Sequence, residues 1–217
     1  MDIHEAELML PRPLLRGRLH QVALLVSVAG LVWLVRSATT SRAVAAAWIY
    51  GIASTLLYLT SSSYHVFARS PRARRVMQRA DHSMIFVLIA GSFTPSAVLM
   101  LPDPWRWCSL VVMWGGAALG ITLKLVALER FRKLGAALYI VLGWAGLMAF
   151  PVLWQRPGTL VLFATGGVLY TVGAILFALN RPRLSPRWFG YHEVWHTFGV
   201  AAAGLLYAAN LGLVRAG

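Results

Sequence analysis

The sequence predicts an all-α polytopic membrane protein: a seven-transmembrane helix bundle with its N-terminus in the cytoplasm and its C-terminus outside. Three observations predict it. Hydrophobic residues make up 59% of the 217 and charged residues only 12%, against about 45–50% and about 25% in soluble domains, and the mean hydropathy is +0.66. The apolar residues fall into seven runs, each near the roughly 20 residues that a helix needs to cross a bilayer. The basic residues, 20 against 7 acidic for a net charge of +13, gather on every second connection between those runs. A disordered chain and an ordinary soluble domain are both excluded. The single cysteine, Cys108, excludes an intrachain disulfide and any multi-cysteine metal site.

The predicted spans cover 19–35, 43–67, 80–101, 107–127, 134–154, 159–179 and 192–214. The first resembles a signal peptide but is longer than the usual apolar core and is followed by no strong small-x-small cleavage site, so it is kept as a span. Breakers separate the later runs: Ser70-Pro71, Pro102-Asp103-Pro104, Arg156-Pro157-Gly158, and Arg181-Pro182 with Ser185-Pro186. Pro95 and Pro151 fall inside spans and predict kinks. The spacing Gly116-x-x-x-Gly120 suits close helix packing, and Trp105, Trp107, Trp154 and Trp188 suit the membrane interfaces. No internal repeat or low-complexity segment divides the chain. It reads as a short basic cytoplasmic tail, 1–18, followed by one transmembrane domain, 19–214.

Charge placement sets the orientation. One side carries Arg12, Arg16 and Arg18, then Arg69, Arg72, Arg74, Arg75 and Arg79, then Lys124, Arg130, Arg132 and Lys133, then Arg181, Arg183 and Arg187. The other carries Arg36, Arg42, Arg106, Arg156 and Arg215, so the ratio is 15 to 5. The positive-inside rule puts the richer side in the cytoplasm. Contact with anionic lipid headgroups then accounts for the net charge, and membrane lipids, not nucleic acid, are the expected partners.

Ionisable side chains inside a bilayer cost about 2.5–3.5 kcal/mol each, so the few present are informative. Ser61, Ser62, Ser63 and His65 come late in the second span, Asp81 and His82 open the third, and His192, Glu193 and His196 open the seventh. The topology brings all of them to the cytoplasmic depth although more than a hundred residues separate them in sequence. His192 and His196, four apart, share a helical face about 6 Å apart along the axis and suit a common metal ion. A third imidazole from His65 makes a three-histidine site with an open fourth position, the pattern of a catalytic zinc centre. Asp81 and Ser61 would orient a water molecule there, with Asp81 as the proton acceptor. Other readings compete residue by residue. Asp81 alone would serve as a helix N-terminal carboxylate. His82 is either an interfacial residue or a competing ligand. Glu193, rotated about 100° from His192, reads as interfacial. Ser62 and Ser63 read as bonded to their own helix backbone. His4 and His20 are assigned no role.

Taken together, Ser61-x-x-x-His65, Asp81 followed by Gly91-Ser92-Phe93-Thr94-Pro95, and His192-Glu193-Val194-Trp195-His196 resemble the hemolysin III family, part of the wider progestin and adiponectin receptor group of seven-span proteins. The resemblance runs from the first span to the last. It implies a seven-helix bundle with the N-terminus inside and a Zn2+ ion near the cytoplasmic leaflet. Its ligands would be His65, His192 and His196, with Asp81 holding a water on the metal and Ser61 as the serine of the family's Ser-x-x-x-His element. The group is similar to alkaline ceramidases, which implies a zinc-dependent hydrolase of lipid amide or ester bonds, and the bacterial branch implies an inner (plasma) membrane location. His82 directly after Asp81 is a local departure. The chain lacks the long N-terminal extension of the receptors, which counts against a receptor role. Two alternatives stand beside the hydrolase. One is a pore-forming cytolysin, for which the strongly apolar spans supply no polar stripe. The other is a non-catalytic lipid-homeostasis sensor with a coordinatively closed, structural zinc.

Overall fold

The computed structural model describes residues 13–127, 132–185 and 187–217, and its regular structure is helical. His4, Arg12, Arg130 and Pro186, named above, lie outside that range. The helices are α1 (Arg18–Ser37), α2 (Ser41–Phe67), α3 (Pro71–Met100), α4 (Trp105–Ala127), α5 (Arg132–Trp144), α6 (Pro157–Ala178) and α7 (Tyr191–Ala216). After α5 the chain passes through a 3-10 turn, Ala145–Ala149, and a last helical turn, Phe150–Leu153. Among the described residues six helices, all but α5, are long and apolar enough to cross a membrane, and the apolar segment Ala137–Leu153 is shorter. The chain is therefore an integral membrane protein, with seven helical segments among the described residues.

Two boundaries correct the sequence reading. The third helix begins at Pro71, nine residues before the apolar run. Ser70, read above as part of a breaker, is its N-cap: the Ser70 hydroxyl accepts from the Ala73 N–H at 3.2 Å, and Pro71 occupies the first turn, where its missing N–H costs nothing. Most of the predicted second basic loop is thus helix. Asp81 lies about 15 Å of helix rise inside α3 and is no N-terminal cap. The second correction concerns the fifth span, which is not one continuous helix. Pro151 has no N–H to donate to Leu147, and its ring crowds that carbonyl. The Phe150 N–H takes the Leu147 oxygen instead, in the tighter 3-10 pattern.

Packing forms two apolar clusters that share α3. One joins α1, α2, α3 and α7 through Leu34, Ala43, Ala47, Tyr50, Leu88 and Val214. The other joins α3, α4 and the α5 segment through Phe86, Phe93, Met113 and Leu142. Small residues allow close approach: a Cβ on Gly91 of α3 would fall 2.6 Å from Ala53 Cβ of α2. Large apolar side chains such as Leu25, Val111, Val126 and Val161 point outward, as expected where the solvent is lipid.

The helices alternate in direction, so their ends collect at two levels. At one, the Thr39 N–H donates to the Val214 carbonyl at 3.2 Å, joining the α1–α2 turn to the end of α7. At the other, the segment before α1 meets the end of α2 and the start of α7. There the Leu14 N–H donates to the Arg187 carbonyl at 2.9 Å, and Gly17 lies directly against His65.

Candidate metal centre

Two helices deliver the clustered histidines. His65 sits half a turn from the end of α2, and His192 and His196 occupy the first two turns of α7. The ring nitrogens of His65, His192 and His196 that can act as ligands all lie within 4.8 Å of one another. His65 Nε2 and His192 Nε2 are 3.3 Å apart. The His65 ring stands nearly perpendicular to both partners, at 86°, whereas the α7 pair is tilted by 34°. His65 and His196 are buried and His192 is half-buried. Nitrogen lone pairs this close repel unless a proton or a cation lies between them. His196 Nε2 is buried with no hydrogen-bond partner among the described residues, a cost that a bound cation removes. Three imidazoles are a sound donor set for a divalent first-row ion, so these residues fit a metal.

Asp81 is buried on α3, and the cluster does not include it. Its neighbour is Ser61, one turn before His65, whose hydroxyl faces the carboxyl but forms no well-shaped hydrogen bond of its own. His82 also stays out of the cluster, and its carbonyl accepts from the Tyr139 hydroxyl at 2.9 Å. Ser62 donates to the Leu59 carbonyl at 3.2 Å, the within-helix bond expected of it.

Glu193 is buried, which corrects the interfacial reading. Its carboxylate forms an ion pair with Arg16 and accepts from the Gly190 N–H at 2.7 Å, closing the first turn of α7 as a capping carboxylate does. This pair ties the segment before α1 to the helix that carries two of the clustered histidines. Gly17 completes the seam. Its φ is +81°, and a Cβ there would lie 2.6 Å from His65 Cβ, so both backbone conformation and space require glycine.

Sequence reasoning missed His20. It lies in the first turn of α1, buried, with Nε2 2.7 Å from His196 Nδ1. Because α1 starts at the same end of the bundle, His20 shares the depth that singles out His65, Asp81 and His192, and that depth is the signal that finds it.

The fold and site define a polytopic α-helical membrane protein with a buried three-histidine cluster at one end of the bundle. Residues 8–207 match the haemolysin-III related family, and the chain belongs to it. Hemolysin-3 of Bacillus cereus is 32% identical over 194 residues, covering 87% of this chain and 85% of that one. The Hemolysin-3 homolog of Bacillus subtilis (strain 168) is 30% identical over 197 residues, covering 87% of each. A more distant relative, the human monocyte to macrophage differentiation factor, is 26% identical over 171 residues, covering 75% of this chain and 68% of its own length.

Proposed function

We propose that this protein is a zinc-dependent hydrolase of lipid amide or ester bonds, its site lying near the cytoplasmic leaflet. The observation that carries the reading is the convergence of His65, His192 and His196, whose ligating nitrogens all lie within 4.8 Å of one another. Three histidines leave a fourth position for a water molecule, the arrangement of a catalytic rather than a closed structural zinc. His65, His192 and His196 would hold the zinc. Bound there, it supplies Lewis acidity toward a carbonyl and acidifies a water molecule. Asp81 would serve as the general base and then the general acid, taking up a proton at its carboxylate and giving it to the leaving amine or alcohol. Ser61, whose hydroxyl faces the carboxyl, would help to orient it. The outward apolar surface suits an acyl chain, and the arginines of the 69–79 stretch suit an anionic headgroup. The same charge bias favours a cytoplasmic site, and the Bacillus relatives favour a bacterial plasma membrane.

The relatives' name Hemolysin-3 points to lysis for those proteins. A pore is the less favoured reading for this chain. Tyr50, Phe86 and Met113 fill the helix interfaces and are fully buried, which suits a packed bundle better than a water-filled one.

The test is elemental analysis of the purified protein together with lipid turnover followed by mass spectrometry. The expected result is about one zinc per chain with cleavage of an amide- or ester-linked lipid. His192→Ala loses both metal and turnover, whereas Asp81→Asn keeps the metal and loses turnover. Protein that carries no zinc and cleaves no lipid overturns the reading.

A further inference from the structure

His20 stands outside the proposed ligand set yet touches it. Its Nε2 lies 2.7 Å from His196 Nδ1, and both rings are buried. Two imidazole nitrogens at that distance share one proton, one ring donating and the other accepting. Because Nδ1 is engaged, Nε2 is the nitrogen that His196 has left to offer, and it is buried without a partner among the described residues. An imidazole presents a lone pair at Nε2 only when its proton sits on Nδ1. For Nε2 to ligate a cation, His196 must donate and His20 accept, with the His20 proton on Nδ1, which is buried without a partner among the described residues. The His20 ring is in turn fixed edge-on between His196 and Tyr58, with centroid distances of 3.9 and 5.1 Å.

We propose that His20 is a positioning residue: accepting the His196 Nδ1–H, it fixes the tautomer and rotation of His196 so that Nε2 presents a lone pair to a divalent cation. This rests on the metal reading of the cluster. Loss of such an outer partner commonly lowers metal affinity by about 10–100-fold.

Two substitutions separate this role from packing. His20→Phe keeps a ring against Tyr58 but removes the acceptor. His20→Gln places an amide oxygen at the reach of the lost Nε2. Zinc affinity is measured on the purified full chain by competition with a chromophoric chelator, alongside the visible spectrum of the cobalt-loaded protein and the melting of the metal-free form. The expected result is zinc binding weakened about 10–100-fold in His20→Phe, largely restored in His20→Gln, with an altered cobalt spectrum in the first variant only. Metal-free melting stays close to wild type in His20→Gln. The proposal is overturned if His20→Phe binds zinc as tightly as wild type. It is overturned equally if His20→Gln binds as weakly as His20→Phe and both metal-free forms melt early, since the ring is then only a packing element. Wild-type protein that binds no zinc overturns the metal reading itself, whereas equal binding by wild type and His20→Phe overturns this assignment alone.

Discussion

Replacing Arg16 with methionine removes the cation from the Arg16–Glu193 pair while keeping an apolar stem of similar length. The Glu193 side chain is 1% exposed and that of Arg16 is 18% exposed, so the pair is largely shielded from water. Stripping one partner from a buried pair costs about 3–5 kcal/mol, because the remaining charge is left uncompensated. Glu193 is not left bare. The Gly190 N–H still donates to it at 2.7 Å, and the α7 N-terminus favours a carboxylate by roughly 0.3–1 kcal/mol. These contacts, with the partial exposure of Arg16, bring the expected loss to about 2–3 kcal/mol, a factor of roughly 30–150 in the unfolding equilibrium. Equilibrium unfolding in mixed SDS and dodecylmaltoside micelles, followed by circular dichroism, measures it. Glu193→Ala is the second arm and the double variant the third. Since either single change breaks the same pair, the double variant must lose less than the two singles combined, by about 0.5–3 kcal/mol. A loss below about 0.5 kcal/mol in Arg16→Met, the size of an ordinary surface substitution, or strict additivity in the cycle, refutes the claim that this ion pair holds the N-terminal segment onto α7.

Two further predictions concern close approaches. Gly17→Ala puts a side chain in a left-handed conformation and against His65; the conformation alone costs about 1–2 kcal/mol. The melting temperature should fall and the zinc content of purified protein should drop with it, because the displaced neighbour is one of the clustered histidines. Unchanged values for both refute the role given to Gly17. Within α4, Gly120→Ala would bring a Cβ to 2.3 Å from the Phe86 ring, whereas Gly115→Ala meets nothing within 4 Å. The first should destabilise by about 1–3 kcal/mol through overpacking, and the second should be neutral or stabilise by roughly 0.5–1 kcal/mol through helix propensity. Unfolding curves of the two single variants that coincide would contradict the placement of α4 against α3.

The sequence carries the depth of a group in the membrane more plainly than its position around the bundle. Depth follows from apolar runs and arginine clusters, which by themselves put His65, His192 and His196 at one level. Which rings then face one another depends on helix rotation and neighbour order, which arise from packing between segments far apart in the chain. Asp81 illustrates the limit. Its level is legible, but its pairing with Ser61 and its separation from the histidine cluster are not. His20 and Arg16 share the depth of the clustered histidines, yet neither stands out as an isolated residue, since each gains its meaning from a partner on α7. Helix boundaries fail for a different reason. An apolar run marks where lipid begins, and α3 continues for about two and a half turns beyond it, where water and headgroups can solvate Arg72, Arg74, Arg75 and Arg79.

The seam between α1 and α7 shows why polar contacts at the site carry structural weight too. In lipid, apolar side chains gain little by leaving their surroundings, so helix association relies on close packing and on interhelical hydrogen bonds worth about 0.6 kcal/mol on average. Within α1 the buried residues are His20, Ala23 and Leu34, while Val22, Leu25 and Val26 face outward. The helix is nonetheless tied to α7 along its length. Arg16 pairs with Glu193 just before it, His20 meets His196 in its first turn, and the Tyr207 hydroxyl donates to the Gly30 carbonyl at 2.9 Å farther along. Two of these three ties adjoin clustered histidines. The first two turns of α7 are thus located by α1 as well as by their own helix. A cation bound at His192 and His196 would tighten the same seam, adding about 2.7 kcal/mol to the stability of the folded bundle at a hundred times its dissociation constant. Chelation should therefore loosen α1 before α4 or α5, and hydrogen exchange in α1 that does not respond to metal removal would break that link.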